Sequence, residues 1–298
     1  MPRRMHADEV VVTERLVSEL LRAQLPHLAD LPLRVVEPWG TDHAVWRLGD
    51  DLSVRLPRIG WAVDQVAFEA EWLPVLGPRL PVEVPSVVAV GEPTDAHPYA
   101  WAVHGWIDGQ VAGPSTIGDA VAFADDLSEL VAALWSCPTD GVPAAGGRAR
   151  PPAAYDDETR AAIERASALI DAGAAIAVWE EALAAPPHPG PPVWIHGDLI
   201  GNCIVRDGRL VGLIDWGPSG VGDPAADVQV VWTPLLGEGS GDRFLDALQV
   251  DDATLARSRG AALHQAVSAL PYYLDTHPPI IERARHQLAA LGVSTRLG

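Results

Sequence analysis

Apolar and polar positions along this chain change period several times, and each change predicts an element. Over 8–25, Val12, Leu16, Leu20 and Leu21 recur at helical spacing with Glu14, Arg15, Glu19 and Arg22 between them, which predicts an amphipathic helix. Shorter runs at 33–36, 44–48 and 52–56 read as strands, the last two joined by a hairpin turn at Gly49, Asp50 and Asp51. Helical period returns over 63–76 and ends before Pro78 and Pro81. The runs 84–91 and 99–107 are apolar and β-branched enough for two more strands. The first hundred residues thus predict a small antiparallel sheet with an inserted helix.

From 119 the character changes. Helical patterns cover 119–135, 156–185, 225–236, 252–270 and 279–291, with Pro- and Gly-rich breaks at 137–155 and 186–192. Among them lie short strands at 193–195, 204–205 and 211–214, with Asp207-Gly208 as a turn. The expectation is an α+β protein of two lobes with a cleft between them: 1–107 rich in sheet, 108–298 mainly helical.

Composition narrows the partners. The net charge is -19, which disfavours nucleic acid, since binding it needs clustered positive charge. An acidic surface draws cationic ligands instead. Asp156, Asp157, Glu158, Glu180, Glu181, Glu238, Asp242 and Asp246 are candidates for lining such a ligand's site. No apolar run approaches the ~18 residues of a membrane span. The N-terminus lacks a secretory apolar core, and the two cysteines suggest no disulfide framework, so a reducing cytoplasm fits. All 21 basic residues are Arg. A site that needs a side-chain cation on a phosphate must therefore use Arg. Trp39, Trp61, Trp101 and Trp106 are expected in the core or as site walls.

The chemistry concentrates in 194–227, WIHGDLIGNCIVRDGRLVGLIDWGPSGVGDPAAD. Asp198 follows one short strand, Asn202 precedes a second, and Asp215 ends a third. Phosphoryl transfer needs an acceptor for the substrate's hydroxyl proton and oxygen ligands for Mg²⁺, and these three side chains supply both. Gly197, Gly201 and Gly217 let the backbone turn tightly beside them.

The pattern HGD-L-x-x-N, then a hairpin, then I-D-W-G-x-x-G-x-G-D-P-x-x-D, resembles the aminoglycoside phosphotransferase family, whose fold is similar to that of protein kinases. The resemblance spans 33–232, and the form with Arg in place of the usual Lys resembles a branch common in actinobacteria. It implies a bilobal protein-kinase-like fold and transfer of the γ-phosphate of ATP or GTP to a hydroxyl of an antibiotic or related metabolite, cationic acceptors included. His196 and Asp198 match the catalytic-loop His-x-Asp, with His196 packing and orienting the loop. Asn202 and Asp215 match the metal ligands, and Asp223 and Asp227 the acids that brace the loop. GTDHAVWRLGDDLSVRLPR resembles the nucleotide-covering hairpin, which places His43 over the phosphates and Arg55 where kinases carry a phosphate-pairing Lys. Glu69, ahead of Glu71, matches the partner of that cation. YAWAVHGWIDG resembles the strand and hinge whose backbone at His104–Trp106 meets the base. Two features depart from the family: Asn202 follows Asp198 by four positions rather than five, and His43 stands where Asn is common. Those departures motivate one alternative, a nucleotide-binding pseudokinase. His196 with Asp198, Asp215 and Asp223 motivates another, a metal-dependent hydrolase.

Overall fold

The computed structural model describes residues 9–37, 40–146, 149–237 and 239–296. They form two compact units. The first comprises 1–78, 83–108 and 212–217, and the second the remainder.

The first unit holds α1 (Glu14–Gln24), β1 (Leu33–Val35), β2 (His43–Leu48), β3 (Leu52–Pro57), α2 (Val63–Leu76), β4 (Val87–Gly91) and β5 (Trp101–Gly105). The five strands make one antiparallel sheet in the order β1-β2-β3-β5-β4. Strand alternation divides its side chains between two faces. Ala44, Trp46, Leu48, Val54, Leu56, Trp101 and Val103 pack against Leu16, Val17, Leu20 and Leu21 of α1. The alternate positions, His43, Arg55 and His104 among them, fall on the opposite face. α1 starts later than the hydrophobic period suggests, because the Thr13 hydroxyl accepts from Leu16 N at 3.2 Å and caps the helix there. Residues 9–13 precede it without regular structure, with Val10 N donating to Arg58 O; residue 8 of the predicted helix lies outside the described residues.

The second unit contains β6 (Gln110–Val111), α3 (Ala120–Trp135), α4 (Asp156–Ala166), α5 (Ala172–Ala184), β7 (Val193–Ile195), β8 (Cys203–Arg206), β9 (Arg209–Leu213), β10 (Gly220–Gly222), α6 (Ala225–Val228), α7 (Ser240–Ala247), α8 (Asp252–Tyr273) and α9 (Pro278–Ala290). The last two residues of β9 belong to the first unit. β6, β8 and β9 form one small sheet, and β10 pairs with β7 in another. α4, α5, α8 and α9 share a core centred on Trp179, Leu263, Leu270 and Leu288.

Three helical expectations are corrected. The run 156–185 is two helices, because Asp171 caps α5 through Ala174 N and Ile170 bridges to Thr295. The run 225–236 is helical only to Val228 and tightens to a 3₁₀ turn over Gln229–Trp232, ahead of Pro234. α7 lies in a stretch whose Gly237, Gly239 and Gly241 hide its period.

The turn between β4 and β5 encloses His97, which is fully buried and set edge-on to Tyr99. Among the described residues neither ring nitrogen has a protein hydrogen-bond partner. Burial lowers its pKa to about 4, from 6.5 in the unfolded chain. Between those values the unfolded state binds the extra proton, so stability falls as pH falls from 6.5 towards 4. Replacing His97 with Phe keeps the ring and removes the titration. We expect melting curves at pH 7 and pH 5 to differ more for the wild type than for His97→Phe, by on the order of 1–2 kcal/mol. An equal pH response in both proteins would show that His97 carries none of it.

Candidate active site

In the first unit the polar face of the sheet is built around a buried carboxylate. Glu69 projects from α2 and is 1% exposed. Its Oε1 accepts from Arg55 Nη1 at 2.5 Å and from Trp216 N at 3.2 Å, and its Oε2 lies 3.1 Å from His104 Nε2. The other arm of the Arg55 fork donates to Asp215 Oδ1 and lies 3.3 Å from His43 Nδ1. Arg has no acceptor, so Nδ1 of His43 receives this contact and its proton sits on Nε2. Burial, then the Arg55 charge, hold the His43 pKa well below the imidazole range, so the ring is neutral at pH 7. Burial alone would raise the Glu69 carboxyl, but the Arg55 charge and neighbouring His104 outweigh it and hold it well below the carboxylate range. For Arg55 burial is likewise outweighed, by Glu69 and Asp215, and the guanidinium stays charged. Glu71 is exposed, so Glu69 is the partner of Arg55.

Asp215 follows β9 with φ 62°, a left-handed conformation that Asp tolerates better than most residues. Trp216 anchors the turn: its ring is buried and Nε1 donates to Leu213 O at 3.0 Å.

In the second unit the loop after β7 hangs from Asp227. This buried carboxylate accepts from Gly197 N at 2.8 Å and from His196 N at 3.1 and 3.2 Å. Burial pushes its pKa up to about 6 while the two amides pull it down. Gly197 turns the chain with φ 77°, and Asp198 N then donates to His196 Nδ1 at 3.3 Å. His196 is fully buried, and its ring accepts from the loop backbone. The shortened segment closes as a tight turn: Gly201 has φ 81° and Asn202 Nδ2 donates to Asp198 O at 2.7 Å.

Asp223 braces the segment that leads to α6. It accepts from Ala225 N at 2.9 Å and from Arg257 at 2.7 and 3.2 Å. Arg257, buried on α8, also donates to Pro186 O and Thr254 Oγ1. Sequence reasoning missed Arg257, which sits in an ordinary helical pattern 34 residues from its partner. It also missed Arg283 on α9, whose Nη1 lies 3.8 Å from Asp198 Oδ1.

The structure therefore brings His43, Arg55, Glu69, His104 and Asp215 together in one unit. It brings His196, Asp198, Asn202, Asp223 and Asp227 together in the other. Trp106 is placed differently from the hinge expectation in one respect. Its N–H donates to Asp51 O at 2.8 Å, and its ring lies 4.4 Å from the Arg47 guanidinium. A base would thus meet its carbonyl or ring and not its amide hydrogen. The His104 side chain faces inward to Glu69. Of the other tryptophans, Trp101 is core, Trp61 is exposed, and Trp39 lies outside the described residues.

Each unit, taken by itself, offers an oxygen donor of the kind a hard cation takes. Asn202 spends its amide nitrogen on Asp198 O, which leaves Oδ1 as its ligating atom, and Asp215 offers a carboxylate. Among the described residues no three His, Cys, Asp or Glu side chains converge as a metal cage. Mg²⁺ needs none, since it takes one or two protein oxygens with phosphates and waters. Four of the eight acids considered for a cationic ligand are paired: Asp156 and Glu180 with Arg160, Glu158 with Arg150, and Glu181 with Arg259. Asp242 and Asp246 line a concavity of about 650 Å³ with Val121, Asp125 and Arg243, whereas Glu238 lies outside the described residues. Among the described residues no helix is long and apolar enough to cross a membrane.

Comparison with known proteins places this geometry. Residues 34–263 match the phosphotransferase enzyme family. An aminoglycoside 3'-phosphotransferase of Escherichia coli is 30% identical over 206 residues, covering 65% of this chain and 67% of that protein. The GDP complex of an aminoglycoside 2'-phosphotransferase superposes with a TM-score of 0.70 at 19% identity, covering 94% of this chain and 98% of the other. A macrolide 2'-phosphotransferase from Brachybacterium faecium superposes at 0.60 with 23% identity, over 92% and 97% of the two chains. These structural likenesses establish the protein-kinase-like fold anticipated from the motifs. With 34–263 matched and the two linked motifs folded as described, the chain belongs to the phosphotransferase enzyme family.

Proposed function

We propose that this phosphotransferase moves the γ-phosphate of ATP or GTP to a hydroxyl of a small molecule of the aminoglycoside or macrolide kind. One observation carries the reading. Asp198 is presented on a loop whose two preceding amides are pinned by buried Asp227, while its own carboxylate keeps 15% exposure. A carboxylate so held is a pre-positioned acceptor for a hydroxyl proton.

In this reading Asp198 orients the acceptor hydroxyl and takes its proton as oxygen attacks the γ-phosphorus. His196 and Asp227 act on the loop, not on the substrate. Asp223 with Arg257 fixes the segment that follows. Arg55 contacts the α- and β-phosphates with its fork, and Glu69 and His43 set the plane of that fork. The main chain at 104–106 and the Trp106 ring meet the base. Asp215 and Asn202 would hold Mg²⁺, which when bound neutralises charge on the phosphates. Asp156, Glu158, Glu180 and Glu181 are balanced by arginines while Asp242 and Asp246 line a concavity, so both polycationic and uncharged hydroxylated antibiotics belong in the substrate panel.

The decisive experiment is Asp198→Ala. We expect phosphate transfer to fall to background across a panel of hydroxylated antibiotics, while magnesium-dependent thermal stabilisation by ATP or GTP persists. Turnover near wild type would remove Asp198 from the mechanism. A second test addresses the cation. Arg55→Met should weaken nucleotide binding roughly 10- to 100-fold by calorimetry, the loss of a charge-assisted phosphate contact. Arg55→Lys keeps a charge but not the fork, and should recover part of that affinity at lower thermal stability. Unchanged affinity in Arg55→Met would place the phosphates elsewhere.

A further inference from the structure

Arginine is the sole cationic side chain that is charged at all working pH values in this sequence. Several arginines of the helical unit have visible duties. Arg257 is locked onto Asp223, and Arg150, Arg160, Arg209, Arg243 and Arg259 pair with carboxylates. Arg283 is set apart by its neighbour. From α9 it brings Nη1 to 3.8 Å from Oδ1 of Asp198, with the two side chains 21% and 15% exposed. α9 is held in place by Ala284 and Leu288, which are buried in the core shared with α8. It lies beyond residue 263, where the family match ends.

The separation is longer than a direct hydrogen bond of about 2.7–3.2 Å. It is short enough to matter for chemistry at Asp198. An acceptor hydroxyl bonded to that carboxylate sits about 2.7 Å from it, and the phosphorus it attacks lies about 3–3.5 Å further on. A guanidinium beside Asp198 is therefore within side-chain reach of the equatorial oxygens of the transferring group. Those oxygens carry the charge that phosphoryl transfer must neutralise.

We propose that Arg283 is a further catalytic residue, donating to an equatorial oxygen of the γ-phosphoryl group during transfer. The inference rests on Asp198 being the residue that receives the hydroxyl proton. As the bond from acceptor oxygen to γ-phosphorus forms, the β–γ bridging bond breaks. Its electron pair leaves on the nucleoside diphosphate, and the proton passes to Asp198. Arg283 exchanges no proton or electron and stabilises the charge in between.

The test compares Arg283→Met and Arg283→Lys with Arg285→Met, an exposed arginine on the same helix. We expect Arg283→Met to lower kcat by about 10²–10³-fold and Arg283→Lys by less, with Arg285→Met unchanged. Nucleoside diphosphate should bind Arg283→Met as it binds the wild type. The extra tightening produced by aluminium fluoride, which mimics the transferring group, should be lost. Hydrolysis of the nucleotide without acceptor should fall in parallel with transfer. The proposal is overturned by aluminium fluoride tightening that survives in Arg283→Met, or by unchanged hydrolysis with a raised acceptor KM, which would assign Arg283 to acceptor binding. Should Arg283→Met melt early, Arg283→Lys carries the same comparison with the charge retained. Failure of the underlying reading is distinguishable: transfer would then survive Asp198→Ala. Loss in Asp198→Ala with wild-type kcat in Arg283→Met sinks the arginine alone.

Discussion

A carboxylate taken out of water must be paired, and in this protein Glu69 is the group on which that constraint falls hardest. An isolated buried charge costs several kcal/mol even after relaxation. Glu69 meets the cost with a guanidinium, a backbone amide and a neighbouring imidazole ring. Those partners come from β3, from the turn after β9 and from β5. Moving any one of them leaves a buried charge exposed to a low dielectric, so helix, sheet and turn settle in one arrangement. Asp215 inherits its position from this, since Trp216, the next residue, is tied to the same carboxylate.

The helical unit solves a related problem with neutral donors. Asp227 is as buried as Glu69, yet among the described residues it is served by the main-chain amides of His196 and Gly197 and by no cation. The physical consequence differs. Paired with a full charge, Glu69 is pulled well below the carboxylate range; served by dipoles alone, Asp227 is pushed up to about 6. What Asp227 gains is geometric: its two oxygens hold the amides of His196 and Gly197, which sets the departure angle of the chain at Asp198. Asp223, like Glu69, is paired with an arginine, the fork of Arg257.

Much of this was legible in the sequence because the information was local. Period-2 runs gave β2, β3 and β5, and the same alternation puts Arg55, His43 and His104 on one face. The segment 194–227 carries most of the second constellation within about thirty residues, so its motif could be read without a fold. Long-range partners were not legible. Arg257 and Arg283 sit in helices among ordinary surface-like residues, and only packing of α8 and α9 brings them to Asp223 and Asp198. The choice between Glu69 and Glu71 also needed the fold, since residues two apart on a helix face different ways. The break at 167–171 escaped notice because Ala and Leu continue the helical period through it, while the cap that ends it is a single Asp. The acidic run suggested a cationic ligand, and the fold adds what the run could not show, that Asp156, Glu158, Glu180 and Glu181 stand opposite arginines.

The absence of Lys links these observations. A Lys ammonium is a point charge, and one placed at position 55 would balance Glu69 and little else. The guanidinium presents donors on two separate arms, and here one arm serves Glu69 while the other reaches Asp215 and His43. Such an Arg must have its plane fixed, which a neutral acceptor at His43 Nδ1 does at no cost in charge. His43 and Arg55 are thus coherent as a pair, although each alone departs from the common pattern. The same arm that steadies Asp215 also occupies one of its oxygens. Under the proposed function, a cation bound there would have to share the carboxylate with Arg55 or displace it, and phosphates arriving with it would offer the fork an alternative partner. In the function proposed above, nucleotide and cation binding would then be coupled through one side chain: whatever draws Arg55 towards phosphate would free Asp215 for the metal.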